Sequence, residues 1–258
     1  MKKSRRGFLA IAGGSLIGAV PLAKHALAAS EGESSSGEAC VSNKWAMVVD
    51  LKKCRAKEGC TACQEACHIE HNVPKIEGVD EEIKWIWKEP YENVFPEQIN
   101  EFTPDEIKLA PIPVLCNHCE NPPCVKVCPT KATWKRTLDG IVMMDMHRCI
   151  GCRYCVVGCP YGSRSFNFRD PRPLIPEIRK EYPTRTKGVV EKCNFCAERL
   201  AKRQIPACVE AARKVGCNAL IFGDLLDPRS EVVALLKRHN TLRRKPELGT
   251  APQVYYIV

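Results

Sequence analysis

The chemistry of this chain is concentrated in cysteine: 17 of 258 residues, most of them set in four runs. The third run reads Cys149-Ile-Gly-Cys152-Arg-Tyr-Cys155-Val-Val-Gly-Cys159-Pro160. The second is Cys116, Cys119, Cys124 and Cys128-Pro129, with one gap widened to four residues by a Pro-Pro turn. The first is Cys54, Cys60, Cys63 and Cys67, and the fourth is Cys193, Cys196 and Cys208. Closely spaced thiolates of this kind curl around one cubane, while the last cysteine, past a half-turn of helix, points to a neighbouring site; this is the spacing that holds [4Fe–4S] clusters. Successive backbone N–H groups of such a loop form a nest for the anionic sulfurs. A small residue such as Gly151 lets the backbone come close.

Two other cysteine chemistries fit less well. Structural zinc uses two C-x2-C pairs, four ligands to one ion. Here three runs end in C-x3-C, and two of those are followed by proline. Disulfides are disfavoured because cysteines two apart in a tight loop cannot bridge one another without strain. Cys40 lies outside every run. His118 sits between two ligands, where it packs locally or tunes a centre. His68 and His71 follow the first run in a stretch that reads as loop surface. Trp134, Tyr154 and Tyr161 read as packing that shields the centres from water, and scattered Lys and Arg as charges that offset the thiolates. No phosphate loop, no nucleophile with its base and no paired carboxylates appear, so the sequence describes redox centres without a substrate site.

The runs need elements to position them, and a unit repeats with starts at 54, 116, 149 and 193. A short β-rich run leads into each cysteine loop: "KWAMVVD", "PVL", "GIVMMD" and "GVVEK". A half-turn of helix follows, then a strand such as "ATWKR", "SRSFNF" or "NALIFGD". Between Cys67 and Cys116 lies a stretch rich in Pro, Trp and charge, read as an inserted hairpin or loop covering the core or facing a partner. "SEVVALLKRHN" predicts one amphipathic helix with Ser230 at its N-cap. The tail "PQVYYIV" is expected along a sheet edge.

The N-terminus reads as an export signal. Ser4-Arg5-Arg6-Gly7-Phe8-Leu9 is a twin-arginine pattern, an apolar run extends from Phe8 to Ala23, and a small-residue cleavage site falls after Ala28. A membrane anchor is the alternative, but a run of 16 residues with three glycines and a proline is short for a span of about 20. Residues 29–43 read as a flexible linker. Five of the 39 Lys and Arg precede residue 29, leaving 34 against 30 acids. That balance is too mild to point to nucleic acid.

Residues 44–225 resemble the four-cluster ferredoxin-type electron-transfer subunits of bacterial membrane oxidoreductases, such as the polysulfide reductase, dimethyl sulfoxide reductase, NrfC-type nitrite reductase and hydrogenase complexes. "VLCNHCENPPCVKVCP", "CIGCRYCVVGCPYG" and "KCNFCAERL…IPACVEA…ALIFGDL" carry the resemblance. Within that family the twin-arginine signal, the lack of a C-terminal anchor, "CRAKEGCTACQEACHIEHNVP" and Ala212 are most similar to DsrO-type periplasmic subunits. The resemblance implies an α+β fold of tandem bacterial ferredoxin-like modules, loop-rich, with short antiparallel strands and helices. An embedded pair is expected at about 110–170, and residues 226–258 form a C-terminal helix and tail.

The family interlaces its motifs. Carried over, Cys116, Cys119, Cys124 and Cys159 share one [4Fe–4S] cluster; Cys149, Cys152, Cys155 and Cys128 share another; Cys193, Cys196, Cys208 and Cys67 a third. The last has Cys54, Cys60, Cys63 and a ligand from position 212, which here is alanine. The wide gap between Cys54 and Cys60 strikes the same centre. Cys217 as a displaced ligand, a three-iron cluster, a non-protein ligand and an absent cluster are all compatible with the spacing. The resemblance further implies a periplasmic, non-catalytic electron carrier, held to the membrane through an integral quinone-interacting NrfD/DsrP-like subunit. Cytochrome or other redox subunits are the further partners, and dissimilatory sulfur metabolism the setting. A component of a molybdopterin reductase and a free polyferredoxin are the alternatives.

Overall fold

The computed structural model describes residues 42–258 apart from Val79. The twin-arginine pair Arg5 and Arg6, the cleavage site at Ala28, Cys40 and nearly all of the linker lie outside the described residues. Ten strands fall in this part of the chain: β1 (Trp45–Asp50), β2 (Ile86–Pro90), β3 (Pro111–Leu115), β4 (Thr133–Lys135), β5 (Val142–Met144), β6 (Ser165–Phe166), β7 (Val190–Glu191), β8 (Leu220–Asp224), β9 (Thr241–Leu242) and β10 (Val254–Ile257).

The central sheet has the order β8-β1-β10-β9. β1 is antiparallel to β8, pairing Trp45 with Asp224 and Val49 with Leu220, and parallel to β10, pairing Met47 with Val254 and Asp50 with Ile257. β1 is covered on both faces, which is why its sequence is continuously apolar. The pleat still divides it. Met47 and Val49 face the main core with Leu220, Val254 and Tyr256. Ala46 and Val48 face the other way, with Ile221 and Ile257, onto Val232 of the helix Glu231–Arg238. Ser230 stands at the N-cap of that helix, but its side chain accepts no backbone N–H. Its hydroxyl instead fills the space beside Gly223, where a Cβ would meet it at 2.4 Å.

The tail departs from expectation. β10 lies inside the sheet, and the edge beside it belongs to β9. Val254, Tyr256 and Ile257 are buried, so an apolar strand of this composition gains more from two neighbours than from one. The inserted stretch does form a hairpin: β2 and β3 pair antiparallel from Ile86–Leu115 to Pro90–Pro111. Short helices at Tyr91–Val94 and Asp105–Lys108 lie between the strands. Trp85, Ile86 and Trp87 at its base are buried in the main core. β4 with β5, and β6 with β7, form two further antiparallel pairs.

Tyr256 is fully buried and packs edge-on against Phe95 at 5.1 Å, and its hydroxyl has no hydrogen-bond partner among the described residues. Tyr256→Ala is expected to cost about 3–5 kcal/mol in denaturant unfolding. Tyr256→Phe is expected to stay within about 1 kcal/mol of the parent, because no partner is orphaned.

Candidate metal centres

The four cysteine runs share a local conformation that their differing gaps conceal. In each, the residue before the second cysteine is left-handed: Gly59 (φ 67°), His118 (φ 41°), Gly151 (φ 70°) and Phe195 (φ 55°). In each, the third cysteine is the second residue of a helix: Cys63 in Ala62–Glu70, Cys124 in Pro123–Lys126, Cys155 in Tyr154–Val157 and Cys208 in Ala207–Lys214. The fourth position follows four residues later, one helical turn on: Cys67, Cys128, Cys159 and Ala212. The left-handed residue turns the loop so that its amides face inward. At Gly151 the requirement is steric as well, since a Cβ would lie 2.4 Å from the Gly188 carbonyl oxygen.

All sixteen described cysteines are free thiols, and the fold gathers them across distant parts of the chain. Cys67 is buried; burial first, then the neighbouring Cys193, Cys196 and Cys208, raise its pKa well above the ordinary thiol value. Cys119 is pushed up to about 12 by burial and by Cys116, Cys124 and Cys159, against a hydrogen bond from Thr250. Cys116, Cys119, Cys124 and Cys159 also line one small cavity with Tyr161 and Arg164. Cys63 is pushed up to about 11 by burial, Cys54 and Cys60, with Lys88 opposing. Cys54 is raised by burial and then by Cys217. Cys155 is raised by burial, Cys124 and Cys149. At the rim of that last group, Cys152 is exposed and Cys128 half-buried. Burial raises Cys128 too, but hydrogen bonds from Thr133, Thr130 and Ala132 outweigh it and its pKa falls.

Electrostatic influence passes between the groups: Cys63 raises the pKa of Cys67 and of Cys208, Cys116 that of Cys193, and Cys124 that of Cys155. Such pockets suit an iron–sulfur cluster: they offer unpaired soft sulfur donors, and a bound cation deprotonates thiols that burial alone would keep neutral.

Cations and amides stand ready for the resulting negative charge. Arg164 is buried, with Nη2 donating to Cys124 Sγ at 3.1 Å and to Thr133 Oγ1 at 2.7 Å. Lys192 is buried and donates to the carbonyls of Val142 and Cys193. Lys88 reaches the Cys60 carbonyl. Backbone amides of Phe195 and Ala207 donate to Cys193 and Cys196 sulfur, each at 3.4 Å. His118 is buried, stacks on Phe195 at 3.7 Å and accepts from the Val142 N–H at 3.1 Å. Burial, then Lys192 and Arg164, hold its pKa well below the ordinary value.

Several side chains lie elsewhere than the sequence suggested. His68 is within a helix and His71 is buried, stacked on Trp85 at 4.4 Å. His71 Nδ1 lies 3.7 Å from Cys67 sulfur, and Nε2 lies 2.7 Å from Glu198. Tyr161 is buried against Thr250, whereas Tyr154 is 62% and Trp134 38% exposed. Arg164 and Glu198 carry no signal in the spacing; the general need for positive countercharge pointed toward residues such as Arg164, and nothing pointed toward Glu198.

The left-handed cysteine loops, the paired groups and the small sheets define the class: a ferredoxin-type [4Fe–4S] protein. A family model described as a 4Fe-4S dicluster domain matches residues 107–171. The chain is 42% identical to the Hdr-like menaquinol oxidoreductase iron-sulfur subunit 1 of Archaeoglobus fulgidus, across 98% of this chain and 97% of that protein. It is 36% identical to a component of the tetrathionate reductase of Salmonella typhimurium, across 100% and 89%. It is also 36% identical to the iron-sulfur cluster-binding subunit of the menaquinone reductase of Nitratidesulfovibrio vulgaris, across 83% and 88%. The chain belongs to the family of iron–sulfur electron-transfer subunits of membrane-associated oxidoreductases, and is a carrier of [4Fe–4S] clusters without a catalytic role of its own.

Gly151→Ala is expected to lose at least about 1–2 kcal/mol of stability from the left-handed backbone alone, with the Gly188 contact adding to it, as read by thermal unfolding of the anaerobic protein. Arg164→Leu removes a buried positive charge that favours the more negative, reduced state. The potential of the centre bearing Cys124 is expected to fall by about 60 mV or more in a titration followed by EPR, one tenfold change for a one-electron couple.

Proposed function

We propose that this chain relays electrons between a quinone-reactive integral membrane subunit of the NrfD/DsrP type and a redox partner such as a cytochrome, on the periplasmic side of the membrane. The observation that carries this reading is the gathering of free cysteines from separate runs, as where Cys116, Cys119, Cys124 and Cys159 line one cavity. Cys67, Cys193, Cys196 and Cys208 would hold one centre. Cys116, Cys119, Cys124 and Cys159 would hold the next, and Cys128, Cys149, Cys152 and Cys155 the one after. Cys54, Cys60 and Cys63 supply three ligands at the other end. A cubane so held accepts and releases single electrons without exchanging its ligands.

The rest is done by the chain. Its interlaced runs fix each pair of neighbouring groups at one separation, because a single cysteine run contributes to both. Buried Phe195, Tyr161 and Trp85 keep water out. Arg164, Lys192 and the inward amides hold negative charge steady whichever oxidation state is present, so little reorganises as an electron passes. No helix among the described residues is long and apolar enough to cross a membrane, so attachment through a partner is the arrangement proposed. The quinone side is supported by two relatives named for menaquinol or menaquinone. The twin-arginine pattern at Arg5 and Arg6 supports export of a chain already folded around its centres. A DsrO-like role in dissimilatory sulfur metabolism rests on the motif resemblance. The similarity to the tetrathionate reductase component, which runs along the whole chain, favours one second reading, a dedicated electron-transfer component of a periplasmic molybdopterin reductase.

Protein purified anaerobically from membranes is expected to contain iron and acid-labile sulfide in equal amounts, to show reduced-state EPR signals, and to bring with it an integral membrane subunit whose quinol reduces it. Zinc in place of iron and sulfide sinks the relay. Co-purification with a molybdenum protein selects the second reading.

A further inference from the structure

The group at Cys54, Cys60 and Cys63 lacks its expected fourth partner, because Ala212 stands one helical turn beyond Cys208. The structure shows what lies beside that place. The helix Ala207–Lys214 ends beyond Ala212, and Gly216 (φ 70°) and Asn218 (φ 46°) are both left-handed. They fold the chain back so that the N–H groups of Cys217 and Asn218 both donate to the Ala212 carbonyl, at 2.9 and 3.2 Å. Residue 217 is thereby laid over the end of the helix that carries position 212. Its sulfur lies 3.5 Å from the Lys53 carbonyl oxygen, next to Cys54.

The wide gap in the first run is part of the same arrangement. Lys57, inside that gap, donates through Nζ to the carbonyl of Val215, just before Cys217. The two segments that are longer than their counterparts in the other runs thus meet each other. Among the charged neighbours of Cys54, Cys217 acts most strongly, ahead of Lys88, Cys60 and Asp50. Asp50 is already committed: it caps the helix Leu51–Arg55 by accepting the Lys53 N–H at 3.0 Å, and it pairs with Lys53 Nζ at 3.5 Å. Ala212 has no donor atom to offer.

We propose that Cys217 is the fourth protein ligand of this centre, displaced by five residues from its usual place, so that Cys54, Cys60, Cys63 and Cys217 hold one iron–sulfur cluster. This rests on the relay reading above. Ligation takes one proton from the Cys217 thiol to solvent, and the thiolate sulfur donates its electron pair to iron; no oxidant or reductant is needed. The loop and the gap in the first run are then one compensated change, which moves the ligand off the helix and onto the turn that follows it.

The test compares the full-length anaerobic protein with Cys217→Ala and with Cys217→Ala/Ala212→Cys, by iron and sulfide per chain and by EPR. Cys217→Ala is expected to lose about one iron per chain if a three-iron centre remains, with its own oxidised-state signal, or about four if the centre is lost. The signals of the other centres stay. The double variant restores a thiol at the family's position and recovers the iron. Unchanged iron and an unchanged spectrum in Cys217→Ala overturn the assignment, as does an even loss from all centres. Parent protein without iron and sulfide instead sinks the relay reading itself, so the two failures are distinguishable.

Discussion

Everything in this fold answers to one electrostatic constraint: many anionic sulfur atoms are to be held inside a small protein, away from water. Charge of one sign is expensive to bury unless dipoles or opposite charges face it. The chain meets this with two devices. Each loop carries a left-handed residue, at Gly59, His118, Gly151 and Phe195, and in the fourth run the amides of Phe195 and Ala207 donate to cysteine sulfur. Arg164 and Lys192 bring positive charge to the interior, held by hydrogen bonds to Cys124, Thr133, Val142 and Cys193. The strands are short because they need only deliver the loops; their side chains close the dry space between them.

The same constraint would explain the interlaced runs proposed above. A centre whose ligands all came from one short loop would be open on one side. In the proposed arrangement a fourth ligand from another run would close that side, consistent with Cys193, Cys196 and Cys208 all acting on the pKa of Cys67. The hairpin β2–β3 adds cover, burying Trp85, Ile86 and Trp87 against this region. Around His71, which bridges from Cys67 toward Glu198, side chains far apart in sequence converge.

Much of this was legible because spacing and geometry are directly linked here. A thiolate must sit within bonding reach of iron, so the gaps between cysteines are constrained, and the apolar runs before Cys54, Cys116, Cys149 and Cys193 could be read as strands. The position of β10 was not legible. "QVYYIV" has the pattern of any half-buried strand, and nothing local says whether it takes one neighbour or two. His71 was misplaced for a related reason: "HIEHNVP" is polar in composition, and its burial depends on Trp85 and Glu198, which come from other parts of the chain. Tyr154 failed in the other direction, its aromatic character suggesting burial where the short helix Tyr154–Val157 turns it to solvent. The cations were foreseen only as a need, since any nearby Lys or Arg satisfies a charge and the backbone alone decides which arrives.

The place of β10 reaches into how the molecule is made. β1, near the start of the folded part, has one of its two flanking partners at residues 254–257. During synthesis that side of β1 stays open until residues 254–257 have emerged from the ribosome. Assembly of the central sheet therefore waits on a segment far along the chain, and the two distant strands act together as a clasp on the interior.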